Sequence, residues 1–366
     1  MSLDRRTMKK LCLLLTTGLV LAAVHSWSAT KAGWWSAVSD KSLYIYFIDV
    51  EGGAATLIVT PAGESVLIDC GWKRPDDRDA KRIHHVATEV AKLSQIDHSV
   101  TTHWHRDHFG GIARLSEMMP IKRYYHHGIP ERLAEDPHHF PNLIAAYKKV
   151  SKGLSTPLRP GDNLPLAANQ VRGLPPIRIR CVASDGNVPA DKGTSMDNPL
   201  CKEDRPKPED RSDNGRSVAL LLSYGSFRFF DGGDLSWNFE KNLVCPTNKV
   251  GPVDVYQVNQ HGVASSNNPT LVRSLDPRVA IINNGPKKGG DASVYALLRG
   301  LPRIEAVYAL HRNLLTTAKD NPPSDFIANM DESCRGEFIK VSVDPTGKHY
   351  IVGIGAKGPV RDYTTR

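Results

Sequence analysis

His103-Trp104-His105-Arg106-Asp107-His108 is the stretch on which the reading of this 366-residue chain turns, and it runs directly into Phe109-Gly110-Gly111. Four potential metal ligands fall within six residues. Residues 99–102 before the run read as a short strand and residues 109–119 after it as a helix, so the run occupies a strand-to-helix turn. Alternate residues leaving a strand point to one side, which lets His103 and His105 serve one ion while Asp107 and His108 turn toward a second. Histidine is used freely elsewhere, at His84-His85, His98, His126-His127 and His138-His139. The two glycines give this cluster its weight, because they let backbone pack tightly against a metal site.

Working outward, β-branched and aromatic residues gather between glycine and proline breaks at 43–50, 55–59 and 65–70, three strands of a meander. Residues 76–93 carry Ile83, Val86, Val90 and Leu93 at helical spacing behind an acidic start. A strand at 121–125 and a helical region at 130–150, broken at Pro137, follow. The second half repeats the order, with strands expected at 177–182, 217–222, 227–230, 253–258, 279–282 and 306–310. This alternation predicts mixed α/β layers. Residues 184–213 are rich in Pro, Asp, Lys and Gly, a long polar surface insertion of the kind that is often functional.

The histidine run is similar to the HxHxDH-G-G signature of the metallo-β-lactamase superfamily, and the resemblance spans nearly the whole mature chain. Phe47-Ile48-Asp49-Val50-Glu51-Gly52-Gly53-Ala54 resembles the DVGQGDA segment of the metallo-β-lactamase-like domain in the DNA-uptake protein ComEC. Leu67-Ile68-Asp69-Cys70-Gly71 resembles the family's LIDTG strand. The resemblance implies an α/β (α+β) four-layer αββα sandwich over residues 42–356, with Asp69 lying behind the metal ligands. It also implies that Asp234, in Asp231-Gly232-Gly233-Asp234-Leu235, is the carboxylate shared by both ions; by chemistry alone Asp231 would serve as well. His261-Gly262 is similar to the HHGS segment and would supply the last histidine, with Gln260 in place of the first. Where the family often presents a histidine four residues before the serine of GHTPGS, this chain has Asp213. That residue is either a ligand of the first ion or part of a strand-entry turn. His311 and His127 each follow a strand and are candidate proton donors at the pocket mouth.

The ions implied are zinc, one or two, although the same donors accept manganese or iron. Zinc lowers the pKa of its water from 15.7 to about 7, so Asp107 would orient a hydroxide nucleophile and no serine or cysteine is needed. The ComEC-like segment favours phosphoesters, from small molecules to nucleic acid. A β-lactamase or lactonase is the alternative hydrolase, and a metal-binding protein without turnover is the alternative from another class.

The ends and the composition bound the rest. Arg5, Arg6, Lys9 and Lys10 precede an apolar stretch from Leu11 to Val24 that ends near Ser26 and Ser28. That is a secretory signal over 1–26, too short to span ~30 Å of hydrocarbon comfortably. A linker over 27–41 and a tail over 357–366 complete the expected organisation. The expected location is the periplasm or the outside of the cell, without membrane association after cleavage. Formal net charge is +8; those four bases against Asp4 account for +3, leaving a mildly basic +5 that permits an anionic substrate. Of the six cysteines, Cys70, Cys181, Cys201, Cys245 and Cys334 follow the signal without a CxxC pair, which excludes a zinc finger. Export would allow Cys181 to pair with Cys201 and Cys245 with Cys334.

Overall fold

The structure, a computed structural model, describes residues 41–167, 173–190 and 197–366. The expected signal segment, and all but the last residue of the linker, lie outside the described residues. Among the described residues, sixteen strands form two sheets. The first runs β16-β15-β14-β1-β2-β3-β4-β5-β6. Its members are β1 (Leu43–Phe47), β2 (Thr56–Val59), β3 (Ser65–Ile68), β4 (His98–Val100), β5 (Tyr124–His126), β6 (Ser155–Pro157), β14 (Ile339–Val343), β15 (His349–Ile354) and β16 (Val360–Thr364). The second runs β13-β12-β11-β10-β9-β8-β7. It comprises β7 (Ile177–Ala183), β8 (Ala219–Tyr224), β9 (Phe227–Asp231), β10 (Val255–Gln257), β11 (Val279–Ile282), β12 (Ala306–His311) and β13 (Ile327–Asn329).

Side-chain alternation sets the layers. Leu43, Ile45 and Phe47 point from β1 into a core shared with Ile179, Leu220 and Phe229 of the second sheet. The Phe47 and Phe229 rings meet edge to face at 5.7 Å across that seam, a pair worth about 1 kcal/mol beyond its buried area. Tyr46 and Ile48 face the other way, into a core with Ile83, Trp104 and Tyr147. Those come from or lie beside the helices α1 (Arg78–His85), α2 (Arg106–Phe109), α3 (Ile112–Met118) and α4 (Phe140–Val150). On the far face of the second sheet, Phe230, Tyr256 and Ile282 pack against Leu271 and Leu298. These belong to α6 (Pro269–Leu275) and α7 (Ala292–Arg299), which follow α5 (Trp237–Asn242). The result is the expected αββα sandwich.

Each sheet has an antiparallel part and a parallel part, β3-β4-β5-β6 in the first and β9-β10-β11-β12-β13 in the second. Parallel strands covered on both faces need continuous apolar runs, and Val-Ala-Ile-Ile of β11 is fully buried. Loops at the carboxyl ends of such strands are where α/β folds bind ligands.

Several sequence expectations change. The helix at 130–150 is confined to Phe140–Val150, because Pro130 and Pro137 deny the preceding stretch its backbone donors. The helix after the histidine run begins inside it, at Arg106. Residues 357–366 are not a free tail: Val360–Thr364 pairs antiparallel with β15, and Tyr363 buries its ring against Tyr350 at 5.2 Å. The disulfide joins Cys201 to Cys245, Cα atoms 5.8 Å apart, and neither expected pair forms. Cys181 is buried on β7 and Cys334 lies beside Asp49, so both remain free thiols, as does Cys70. The bond ties the polar insertion, whose described part contains only short 3-10 turns at Pro199–Glu203 and Asp213–Arg216, to the loop after α5.

Candidate metal centre

Four side chains converge from both sheets: Asp107 and His108 past the end of β4, Asp234 past β9 and His261 past β10. Their ligating atoms all lie within 4.8 Å of one another, and all four residues are buried. His108 Nε2 is 3.2 Å from His261 Nε2 and 3.2 Å from Asp234 Oδ1. His261 Nε2 is 3.2 Å from Asp107 Oδ2 and 3.3 Å from Asp234 Oδ2.

Local backbone explains the convergence. Asp107 and His108 sit in the first turn of α2, which turns them away from the strand direction kept by His103. His261 adopts φ 54°, a left-handed conformation that non-glycine residues accept only where the surroundings enforce it. Gln260, also left-handed, is held by the hydroxyls of Ser265 and Ser266, which donate to its Oε1 at 2.7 and 2.6 Å. Gly289 leaves room for the His261 carbonyl, where any Cβ would collide. Gly111 does the same for the Cys70 carbonyl beneath the histidine run, the tight packing that the glycine pair predicted.

Each histidine of the quartet is oriented through its other nitrogen. His108 Nδ1–H donates to Asp69 Oδ2 at 2.7 Å, and Asp69 in turn accepts from Thr102 N and Oγ1. His261 Nδ1–H donates to the Asn283 carbonyl at 3.2 Å. Both Nε2 atoms thereby face the centre, where a bound cation would take the place of a proton. Asp69 therefore lies behind His108, on the side away from the quartet's centre. Asp234, not Asp231, reaches the quartet. Asp231 caps its own turn by accepting from Gly233 N at 2.9 Å, and burial pushes its carboxyl up to about 7.

The electrostatics ask for a cation. Burial disfavours charge on His108, yet Asp234, Asp69 and Asp107 around it lift its pKa well above the usual imidazole range. Burial likewise opposes charge on Asp107 and Asp234, but His108 holds both well below the usual carboxylate range, with Lys288 adding to the effect at Asp107. Lys288 Nζ contacts the Asp107 carboxylate. The donor set fits a divalent ion: two carboxylates and two imidazole nitrogens, beside a buried His103 Nε2 that has no hydrogen-bond partner and lies 3.9 Å from Asp234 Oδ2.

The remaining sequence candidates are placed differently. His103 is fully buried, and burial together with His108 and His105 keeps it well below the usual range, hence neutral and fit to ligate. His105 Nε2 instead pairs with Glu135 Oε1 at 3.1 Å. Asp213 Oδ2 accepts from Trp104 N at 2.7 Å and faces His127 Nε2 at 3.0 Å. His127 therefore supports Asp213 and does not join the quartet. His311 is buried, with Nε2 on Asp49 Oδ1 at 2.8 Å and Cys334 alongside, a separate cluster. Sequence reasoning missed Lys288, Asn283 and Glu135. The Lys287-Lys288-Gly289-Gly290 segment just after β11 carried a usable signal; Glu135, in an irregular loop, carried none.

Residues 48–174 match the sequence profile of the metallo-β-lactamase superfamily. No curated protein matches the chain. Among solved structures, the diiron β-hydroxylase CmlA from Streptomyces venezuelae is 12% identical with a TM-score of 0.38, over 67% of this chain and 45% of its own. A metallo-β-lactamase from Cronobacter sakazakii, a HARLDQ motif mutant, is 14% identical with a TM-score of 0.31, over 72% of this chain and 74% of its own. The chain thus spans less than half the length of the hydroxylase. The superfamily profile runs through the histidine run, and the two sheets sandwiched between helices agree with the metallo-β-lactamase fold.

Proposed function

We propose that this chain is an exported metal-dependent hydrolase of phosphoesters. The observation that carries the reading is the buried quartet Asp107, His108, Asp234 and His261, with the Lys288 ammonium set against its edge. One ion held by these four residues is the favoured stoichiometry, zinc first, with manganese or iron accepted by the same donors. A second ion would need His103, His105 and Asp213 together, and two of these are engaged by Glu135 and by Trp104 N with His127.

When bound, the ion supplies an acidified water and a Lewis acid for an ester oxygen. The protein's own groups do the rest. Asp69 and the Asn283 carbonyl keep His108 and His261 in the tautomer that ligates. Asp107 and Asp234 take up a water proton or orient its lone pair, being ionised throughout the physiological range. Lys288 offers three donors where the non-bridging oxygens of a phosphoester develop charge. The four residues are buried, while the Lys288 side chain against Asp107 is 40% exposed, which favours substrate entry from that side. The motif likeness of residues 47–54 to the ComEC domain supports phosphoesters over lactams; nucleic acid falls within that class.

The test is metal content together with hydrolysis of bis-p-nitrophenyl phosphate and nitrocefin, each with and without chelator, on wild type and Asp234→Ala. Chelator-sensitive phosphodiester hydrolysis that vanishes in Asp234→Ala supports the reading. Nitrocefin turnover alone makes the protein a β-lactamase, and bound metal with neither activity makes it a binder. Absence of bound metal after zinc and manganese loading overturns the site itself.

A further inference from the structure

A second recognition element lies next to the quartet. Trp72, in the loop after β3, stands between the metal centre and a cavity of about 570 Å³ lined by Lys73, Arg74, Arg106, His138 and His139, with Leu143 and Pro75 as apolar wall. No carboxylate lines it. Three cations meet the one indole: Arg74 at 4.8 Å, Lys288 at 5.0 Å and Arg106 at 5.8 Å from the ring centroid. Lys288 touches the Asp107 carboxylate with the same ammonium, so a continuous cationic track runs from the quartet across Trp72 into the cavity. Trp72 Nε1 and Arg74 Nε are buried donors with no hydrogen-bond partner. Those two atoms are closed off from the cavity, which leaves the remaining guanidinium and ammonium donors to face it; gathering like charges on one surface costs energy that a bound anion removes. Acids nearby neutralise only part of the charge: Asp136 takes Arg106 at 3.2 Å and His139 at 2.7 Å, while Arg74, which also feels the charge of Asp79, has no carboxylate within ion-pair distance among the described residues.

We propose that this cavity binds a second phosphate of the same substrate, so that the protein recognises molecules with at least two phosphoryl groups, one at the quartet and one beyond Trp72. The inference rests on the phosphoester reading for what the substrate is, and its test does not depend on turnover. Guanidinium groups with donors to spare recognise tetrahedral oxyanions by charge-assisted hydrogen bonds, and 570 Å³ exceeds what one phosphate needs, leaving space for the group that joins the two.

Titration of the full chain with tripolyphosphate and with methyl phosphate, with and without chelator, reads this directly. Metal-loaded wild type is expected to favour tripolyphosphate by roughly tenfold or more, and the chelator should reduce that preference by removing the ion that holds the first phosphoryl group. Arg74→Ala should abolish the preference, and Arg74→Lys should restore part of it. An equal preference in wild type and Arg74→Ala, or one that the chelator leaves unchanged, overturns the proposal. The preference can stand while bis-p-nitrophenyl phosphate is not hydrolysed; that outcome rejects the hydrolase reading and upholds the cavity.

Discussion

His108 and His311 are both buried imidazoles held by an aspartate that follows a strand of the first sheet, Asp69 at 2.7 Å for one and Asp49 at 2.8 Å for the other. Each belongs to a group of three or four side chains with metal-ligand chemistry. Their neighbours differ. Around His108 two more carboxylates and a second imidazole converge, and the compensating side chain, Lys288, reaches in from the partly exposed edge, where it can give way. Around Asp49, Arg82 has already taken the charge, with its guanidinium 2.8 Å from Oδ2 and also donating to the Asp49 carbonyl, while the Cys334 thiol donates to the same Oδ2 at 3.4 Å. Both groups carry ligand-type residues, and the first differs in leaving more negative charge for a cation to balance. The second cluster works as a staple, because Asp49 follows β1 of one sheet and His311 ends β12 of the other.

Deleting a ligand should separate the two clusters most sharply. Asp234→Ala is expected to drop bound metal from near one ion per chain to near zero by elemental analysis, with little change in the melting temperature of the metal-free protein. Arg82→Met does the reverse. It strands a buried carboxylate, which should cost about 3–5 kcal/mol in denaturant unfolding while metal content per folded chain stays the same.

The staple should also show in the pH dependence of stability. His311 is raised to about 9: burial works against its charge, and hydrogen bonding and charge from Asp49 and Cys334 more than restore it. A folded pKa above the unfolded value of ~6.5 means that its contribution is complete below about pH 6.5 and is lost as pH rises through 9, worth up to about 3 kcal/mol. Thermal melts from pH 6 to 9.5 should fall in that window for wild type, and His311→Gln should flatten the fall. If the two profiles are parallel, the Asp49 pair does not stabilise the fold.

Smaller effects refine the metal side. Asp69→Asn keeps the shape but weakens the orienting acceptor for His108, and should lower metal affinity by roughly 10- to 100-fold in a competition titration. Lys288→Met removes the charge that competes for Asp107, so metal affinity should rise by a few-fold, on the order of 1 kcal/mol. A fall instead would make Lys288 a part of the ion's support.

Periodicity and punctuation made most of the strands before residue 311 readable, since each presents alternating or continuous apolar residues between glycine or proline breaks. Of the strands β13 to β16, Ile327–Asn329 is too short to show a period and Val360–Thr364 buries only Tyr363, whereas Ile339–Val343 alternates and its signal was overlooked. The cysteine pairing was misread for a related reason: a polar insertion gives no hint of where its ends return, and only the folded chain brings Cys201 to Cys245.

At the site, the sequence alone determined the donors that stand close together, His103 to His108, because a strand-to-helix turn projects neighbouring side chains in directions that spacing predicts. Asp234 and His261 were legible through their motifs. What the tertiary structure decided is how each donor is used. Contacts between residues 30 to 262 positions apart send Asp213 to His127 and Trp104, His105 to Glu135, His311 to Asp49, and Lys288 to Asp107. Run length and periodicity describe neighbours along the chain, whereas the charge that selects a cation is summed over neighbours in space.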